Sequence, residues 1–105
     1  EHVTIDNKGI YLQTVTGADA RAIYEGEVTW CAPMNGNYAV IVQHGNYRSV
    51  YSPLKNIYVK QGDKLTAKQA IGEIYTNTSE DNKTELYFQI YKDRSILNPG
   101  LWLAQ

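Results

Sequence analysis

The sequence predicts an all-β domain, a sandwich or partly open barrel of short antiparallel strands. Three observations lead there. The stretch Glu85-Leu86-Tyr87-Phe88-Gln89-Ile90-Tyr91 alternates in strict period two, which sends Leu86, Phe88 and Ile90 to one face and Glu85, Tyr87, Gln89 and Tyr91 to the other. Turn signals recur about every eight to twelve residues. No stretch keeps a helical period for more than about one or two turns.

Taken in order, Glu1 to Asp6 reads as a short lead-in cut from a longer precursor, with Val3 and Ile5 alternating. Asn7-Lys8-Gly9 is a turn. Gly9 to Thr16 follows as a strand that buries Ile10, Leu12 and Val15. After a turn at Gly17-Ala18-Asp19, Ala20 to Tyr24 is a short strand and Glu27 to Ala32 the next. Pro33-Met34-Asn35-Gly36 is a loop, with Asn35-Gly36 a strong hairpin signal because both residues tolerate positive φ. Asn37 to His44 is a central strand and Tyr47 to Ser52 its hairpin partner across Gly45-Asn46. Pro53 ends that strand, since proline cannot donate to a ladder. Leu54 to Tyr58 is a connection of about one helical turn. Ile71 to Tyr75 is a strand, Thr76 to Thr84 a polar loop, and the alternating strand follows.

Length and composition bound the function. A chain of 105 residues suits one domain, spanning residues 1–105. A net charge of −1, from 10 basic and 11 acidic residues, argues against nucleic acid, whose phosphates call for a basic surplus. No apolar run approaches the length of a membrane span. Cys31 is the single cysteine, so no intrachain disulfide forms, and its Ala-Pro surroundings mark it as a small hydrophobe. Tyrosine is abundant, nine against one phenylalanine. Its flat apolar ring and polar tip suit binding grooves, and it also favours strands for their own sake. On the polar face of the alternating strand, one carboxylate, one amide and two phenols line up as if facing a cleft.

Seven motifs, in order and at fitting spacings, resemble the lysostaphin-type (LytM) domain of zinc endopeptidases that cut peptidoglycan cross-bridges. Asn7-Lys8-Gly9-Ile10-Tyr11-Leu12 falls where that family has His-x-Gly-Ile-Asp-Ile. Ala22 to Val28 is similar to its Ala-x-x-x-Gly-x-Val turn, and Gly36 to Gly45 to its Gly-Asn-x-Val-x-Ile-x-His-Gly strand. Tyr51-Ser52-Pro53-Leu54 falls on Tyr-x-His-Leu. Val59 to Gly72 is similar to Val-x-x-Gly-x-x-Val followed by Gly-Gln-x-Ile-Gly. Glu85-Leu86-Tyr87-Phe88-Gln89 falls on His-Leu-His-Phe-Glu, and Asn98-Pro99 to Leu103 on the closing Asn-Pro motif.

The departures carry the functional expectation. The resemblance implies that Asn7, Tyr11 and Tyr87 stand at the family's zinc-ligand positions, and Pro53 and Glu85 at its catalytic histidines. Zinc takes deprotonated nitrogen, sulfur or carboxylate donors. Asn and neutral Tyr are poor substitutes, so the resemblance implies a pseudo-peptidase without a cofactor. It resembles the degenerate domains of EnvC- and NlpD-like murein hydrolase activators. Those imply an exported, periplasmic or envelope-associated protein whose former groove binds and activates a peptidoglycan hydrolase, an amidase. The groove would comprise Asn7, Tyr11, Tyr47, Arg48, Tyr51, Glu85, Tyr87 and Gln89. Direct binding of peptidoglycan through the same tyrosines and amides is the alternative. An active zinc endopeptidase with an unusual site is a third reading.

Overall fold

The computed structural model describes the backbone of residues 2–5, 9–92 and 95–97 and the side chains of residues 9–92. Among the described residues, eleven strands follow one another: β1 (His2–Ile5), β2 (Ile10–Thr14), β3 (Asp19–Arg21), β4 (Gly26–Met34), β5 (Asn37–His44), β6 (Tyr47–Leu54), β7 (Lys64–Leu65), β8 (Ala70–Glu73), β9 (Thr76–Asn77), β10 (Lys83–Lys92) and β11 (Ser95–Leu97). A 3-10 turn, Thr78–Glu80, separates β9 from β10. The large antiparallel sheet runs β1-β2-β10-β6-β5-β4-β7, with β9 and β11 joining β10, and β3 and β8 form a separate ribbon. No helix among the described residues is long and apolar enough to cross a membrane.

β10 is the longest strand and is paired along both edges. On one side Leu86 stands opposite Leu12, Tyr87 opposite Tyr11 and Phe88 opposite Ile10. On the other, Tyr87 stands opposite Ser52, Gln89 opposite Val50 and Tyr91 opposite Arg48. Leu86, Phe88 and Ile90 are buried, as the period-two pattern predicts. They meet Ile10, Val28, Val40, Val42 and Tyr51 of the same sheet and Ala20 and Ile71 of the small ribbon in one cluster. Each such side chain, fully buried, contributes about 1.5–3 kcal/mol. The ring of Phe88 lies 5.3 Å from that of Tyr51, tilted by 44°.

Several boundaries differ from the sequence expectation. The lead-in is a strand over His2–Ile5, paired to β2 from His2 opposite Gln13 to Ile5 opposite Ile10. β2 ends at Thr14, and Val15, expected inside, is 70% exposed. Val15 has the opposite parity to Ile10 and Leu12 and lies past the end of β2, so it faces solvent. β3 is shorter than Ala20 to Tyr24, because Ala22 hydrogen-bonds through its N–H to the Gln69 carbonyl (3.0 Å) rather than continuing the β8 ladder. β4 runs on through Pro33 to Met34. Along Thr29–Met34 it is paired with β5 alone among the described residues, and such an edge tolerates proline. Asn35 and Gly36 turn at φ of 54° and 84°, the primed geometry the dipeptide favours. β6 passes Pro53 and ends at Leu54. Pro53 lies beyond the last β10 pair, Tyr87 with Ser52, so no bond of the β10 ladder is lost there. The 54–58 connection is an irregular bend.

Gly9 is required by close approach. A Cβ there would come within 2.6 Å of the Phe88 carbonyl oxygen and 2.8 Å of Gln89 Cγ. The chain entering β2 therefore lies against β10, on the side where Tyr87 and Gln89 project.

Because Phe88 is 2% exposed at the centre of the cluster, Phe88→Ala is expected to lower stability by about 3–5 kcal/mol, read from the urea unfolding midpoint.

Candidate functional site

The outward face of β10 forms the floor of a groove of about 270 Å³ lined by Tyr11, Pro53, Tyr75, Asn77, Glu80, Lys83, Glu85 and Tyr87. Tyr11 and Tyr87 are directly opposite in the β2–β10 ladder, so their rings stack, with centroids 4.5 Å apart and planes at 29°. Such a pair contributes about 0.5–1.5 kcal/mol beyond burial. Lys83 is the first residue of β10 and shares the parity of Glu85 and Tyr87. Its ammonium stands 3.7 Å from Glu85 and 3.9 Å from Glu80. These partly exposed pairs contribute about 0–1 kcal/mol each and serve mainly to place charge.

One wall of the groove is the segment 75–80, held by short polar links. The buried Thr84 hydroxyl lies 2.6 Å from that of Thr76. The Tyr75 N–H donates to the Pro53 carbonyl at 3.1 Å. Asn77 caps the 3-10 turn by accepting from the Ser79 N–H at 3.0 Å. These bonds fix Tyr75, Asn77 and Glu80 over the floor.

Of the side chains expected to line the groove, Tyr11, Glu85 and Tyr87 do, beside Pro53. Asn7 lies outside the described residues. Tyr51 is a correction: it is 1% exposed and points into the core. Its hydroxyl accepts from the Ile23 N–H at 3.2 Å and lies 2.8 Å from Ser49 Oγ. Ser49 Oγ in turn lies 2.7 Å from His44 Nε2. The other ring nitrogen, Nδ1, donates to the Glu25 carbonyl at 2.9 Å, since a carbonyl can only accept. Tyr47 is also displaced. It shares the inward parity of Ser49 and Tyr51, packs against the core and holds the Lys92 ammonium 5.5 Å from its ring centre. Arg48 and Gln89 do face the same side as Tyr87, but they line a neighbouring hollow with Ile41, Val50 and Tyr91. Tyr75, Asn77, Glu80 and Lys83 were not foreseen. For Lys83 the signal was present, because the outward parity of Glu85 extends back to it; the other three depend on how 75–80 folds over the sheet.

Among the described residues, no three His, Cys, Asp or Glu side chains cluster closely enough to hold a metal ion.

An open antiparallel sheet with a groove over its central strand is the architecture of lysostaphin-type domains. The chain belongs to peptidase family M23, whose model matches residues 6–99. It is 37% identical to stage II sporulation protein Q of Bacillus subtilis (strain 168) over 99 residues, covering 89% of this chain and 35% of that protein. It is 27% identical to the murein hydrolase activator EnvC of Escherichia coli (strain K12) over 100 residues, covering 93% of this chain and 24% of EnvC. The chain thus spans about a quarter to a third of these curated relatives. Among solved structures, a chain of the SpoIIQ–SpoIIIAH pore forming complex superposes with a TM-score of 0.77 at 32% identity, covering 94% of this chain and 69% of that one. Lysostaphin, in its NMR solution structure, superposes with a TM-score of 0.81 at 23% identity, covering 91% of this chain and 42% of lysostaphin, a likeness of fold.

Two outcomes follow from this geometry. Tyr87→Ala, outside the core, is expected to cost no more than about 1.5 kcal/mol in urea unfolding, the value of the stack it breaks. Burial, opposed by its bonds to Ser49 and Ile23, raises the Tyr51 phenol above its ordinary value of 10.0. The folded state therefore holds that proton longer than the unfolded chain does, and stability is lost as pH rises past the unfolded value. In alkaline absorbance titration Tyr51 ionises late, as does Tyr58, raised by its hydrogen bond to Asp19, and Tyr51→Phe removes its share of the delayed step.

Proposed function

We propose that this domain is a non-catalytic M23 member of the cell envelope. Its groove binds a protein partner and thereby activates or scaffolds a peptidoglycan hydrolase of the amidase class. The observation that carries this is the chemistry of the groove. Tyr11 and Tyr87, which the resemblance puts at two of the family's metal positions, stack on each other. Pro53 offers no donor, and Glu80 and Glu85 are both drawn to Lys83. Two neutral phenols, a proline and lysine-paired carboxylates are a poor donor set for zinc, which takes three protein nitrogen, sulfur or carboxylate ligands at a hydrolytic centre. With no metal to lower its pKa, water is a weak nucleophile at neutral pH. The same side chains make a good contact surface, because tyrosine buries a large rigid ring at low entropic cost.

The relatives support a role of this kind. One is named as a murein hydrolase activator, and another is seen in complex with a second protein. A role in activating murein hydrolases implies export to the envelope, and residues 1–105 act as a single domain in this reading. Direct binding of peptidoglycan is the second reading, favoured by the stacked Tyr11–Tyr87 pair, since ring faces also suit sugars.

The test combines the purified protein with a candidate amidase and isolated sacculi. The protein alone should release no fragments, should raise amidase turnover, and should lose about tenfold of that effect in Tyr87→Ala and in Glu85→Ala, the loss of one interface anchor. Retention on sacculi without any effect on amidase would establish the second reading instead. Stoichiometric bound zinc with chelator-sensitive turnover by the protein alone would overturn both.

A further inference from the structure

The groove is one end of a larger surface. Across the large sheet, register aligns Trp30 of β4 with Ile41 of β5, Ile41 with Val50 of β6, and Val50 with Gln89 of β10. Directly opposite residues share a face, so this row lies on the face that carries Tyr87. With strands about 4.8 Å apart, the row is about 14 Å wide. Trp30, at the sheet edge, is 41% exposed. Ile41, Val50, Gln89, Tyr91 and Arg48 line a hollow of about 270 Å³. Gln89 and Tyr87 are consecutive outward positions of β10, about 7 Å apart along the strand. Hollow and groove therefore adjoin on one rigid element.

Their chemistry differs. In the groove two carboxylates, Glu80 and Glu85, share one ammonium, that of Lys83, at 3.9 and 3.7 Å. Carboxylates accept and do not donate, so a ligand that pairs with them brings N–H or O–H donors. A guanidinium supplies them in a planar fork and can also lie against a tyrosine ring. The Trp30–Ile41–Val50 row presents mostly carbon, which rewards an apolar side chain and leaves the hydroxyls of a sugar unpaired.

Resting on the partner-binding reading of the groove, we propose that groove and hollow form one continuous docking surface for a polypeptide segment. The segment seats a basic side chain, an arginine, beside Tyr87, Glu80 and Glu85. It packs an apolar side chain over Ile41, Val50 and Trp30. Charge complementarity selects the first contact, and exclusion of water from the sheet face selects the second. The constant spacing along β10 makes the pair of contacts a register for the segment.

The test titrates ¹⁵N-labelled protein with three synthetic peptides of equal length. The first carries an arginine about three residues from a leucine pair, to span the two sites. The second replaces arginine by glutamate, and the third replaces the leucines by serine. The first peptide is expected to shift the amide resonances of Glu85, Tyr87, Ile41 and Val50 together, with the second weaker by about tenfold and the third by about fivefold. The double variant Glu80→Gln with Glu85→Gln should erase the preference for arginine, and Trp30→Ala should reduce the preference for leucine. Equal binding of the arginine and glutamate peptides, shifts confined to one of the two sites, or no shift at millimolar peptide would overturn the proposal. The amidase assay separates the two levels. If Tyr87→Ala abolishes activation while the peptides show no charge preference, the partner chemistry falls and the groove reading stands. If Tyr87→Ala leaves activation intact, the groove reading itself falls.

Discussion

The pairing of β10 along both of its edges is the constraint on which the rest depends. A strand held by β2 on one side and β6 on the other cannot slip by one residue without breaking two ladders. Such a slip would turn Phe88 outward and Tyr87 into the core. The same hydrogen bonds therefore define the core, the floor of the groove and the row of side chains across the open face. The groove and the core share this strand but use its opposite faces. That is why changes to the outward residues can be separated from changes to folding.

The inward face of β6 meets a second requirement. Ser49 and Tyr51 put hydroxyls into the interior, and a hydroxyl without a partner there would be costly. The links from Ile23 through Tyr51 and Ser49 to His44 and the Glu25 carbonyl satisfy them. They also tie the 23–25 turn to β5 and β6. At the start of β10, Thr84, Thr76 and the Pro53 carbonyl do the same for the wall of the groove. A paired floor and an anchored wall hold the groove in shape before anything binds. Binding to a preformed surface loses less conformational entropy than binding that must order it.

The groove over β10 is the polar part of the open face. Here its polar groups are engaged with one another: phenol on phenol, lysine between two glutamates. Such an arrangement favours recognition of shape and charge. The neighbouring apolar row extends that surface to the sheet edge at Trp30.

Much was legible in the chain itself. Clean alternation from Glu85 to Tyr91 placed Leu86, Phe88 and Ile90 inside and Tyr87 outside, because period two leaves a strand one consistent choice of buried face. Asn35-Gly36 announced its hairpin because few other dipeptides accept positive φ at both positions. β6 offered no such choice. Tyr47, Ser49 and Tyr51 alternate with Arg48, Val50 and Ser52, and each set mixes polar with apolar groups. Its neighbours β5 and β10 decided which set faces inward, and so took Tyr47 and Tyr51 out of the groove and left Arg48 facing the hollow beside it. The wall residues Tyr75, Asn77 and Glu80 were hidden for a related reason. They reach the floor through contacts to Pro53 and Thr84 that no local pattern encodes. The sequence determined the strand that carries the site and the face it presents; the tertiary structure decided what stands around it, because strand pairing and chain folding between distant residues choose the neighbours.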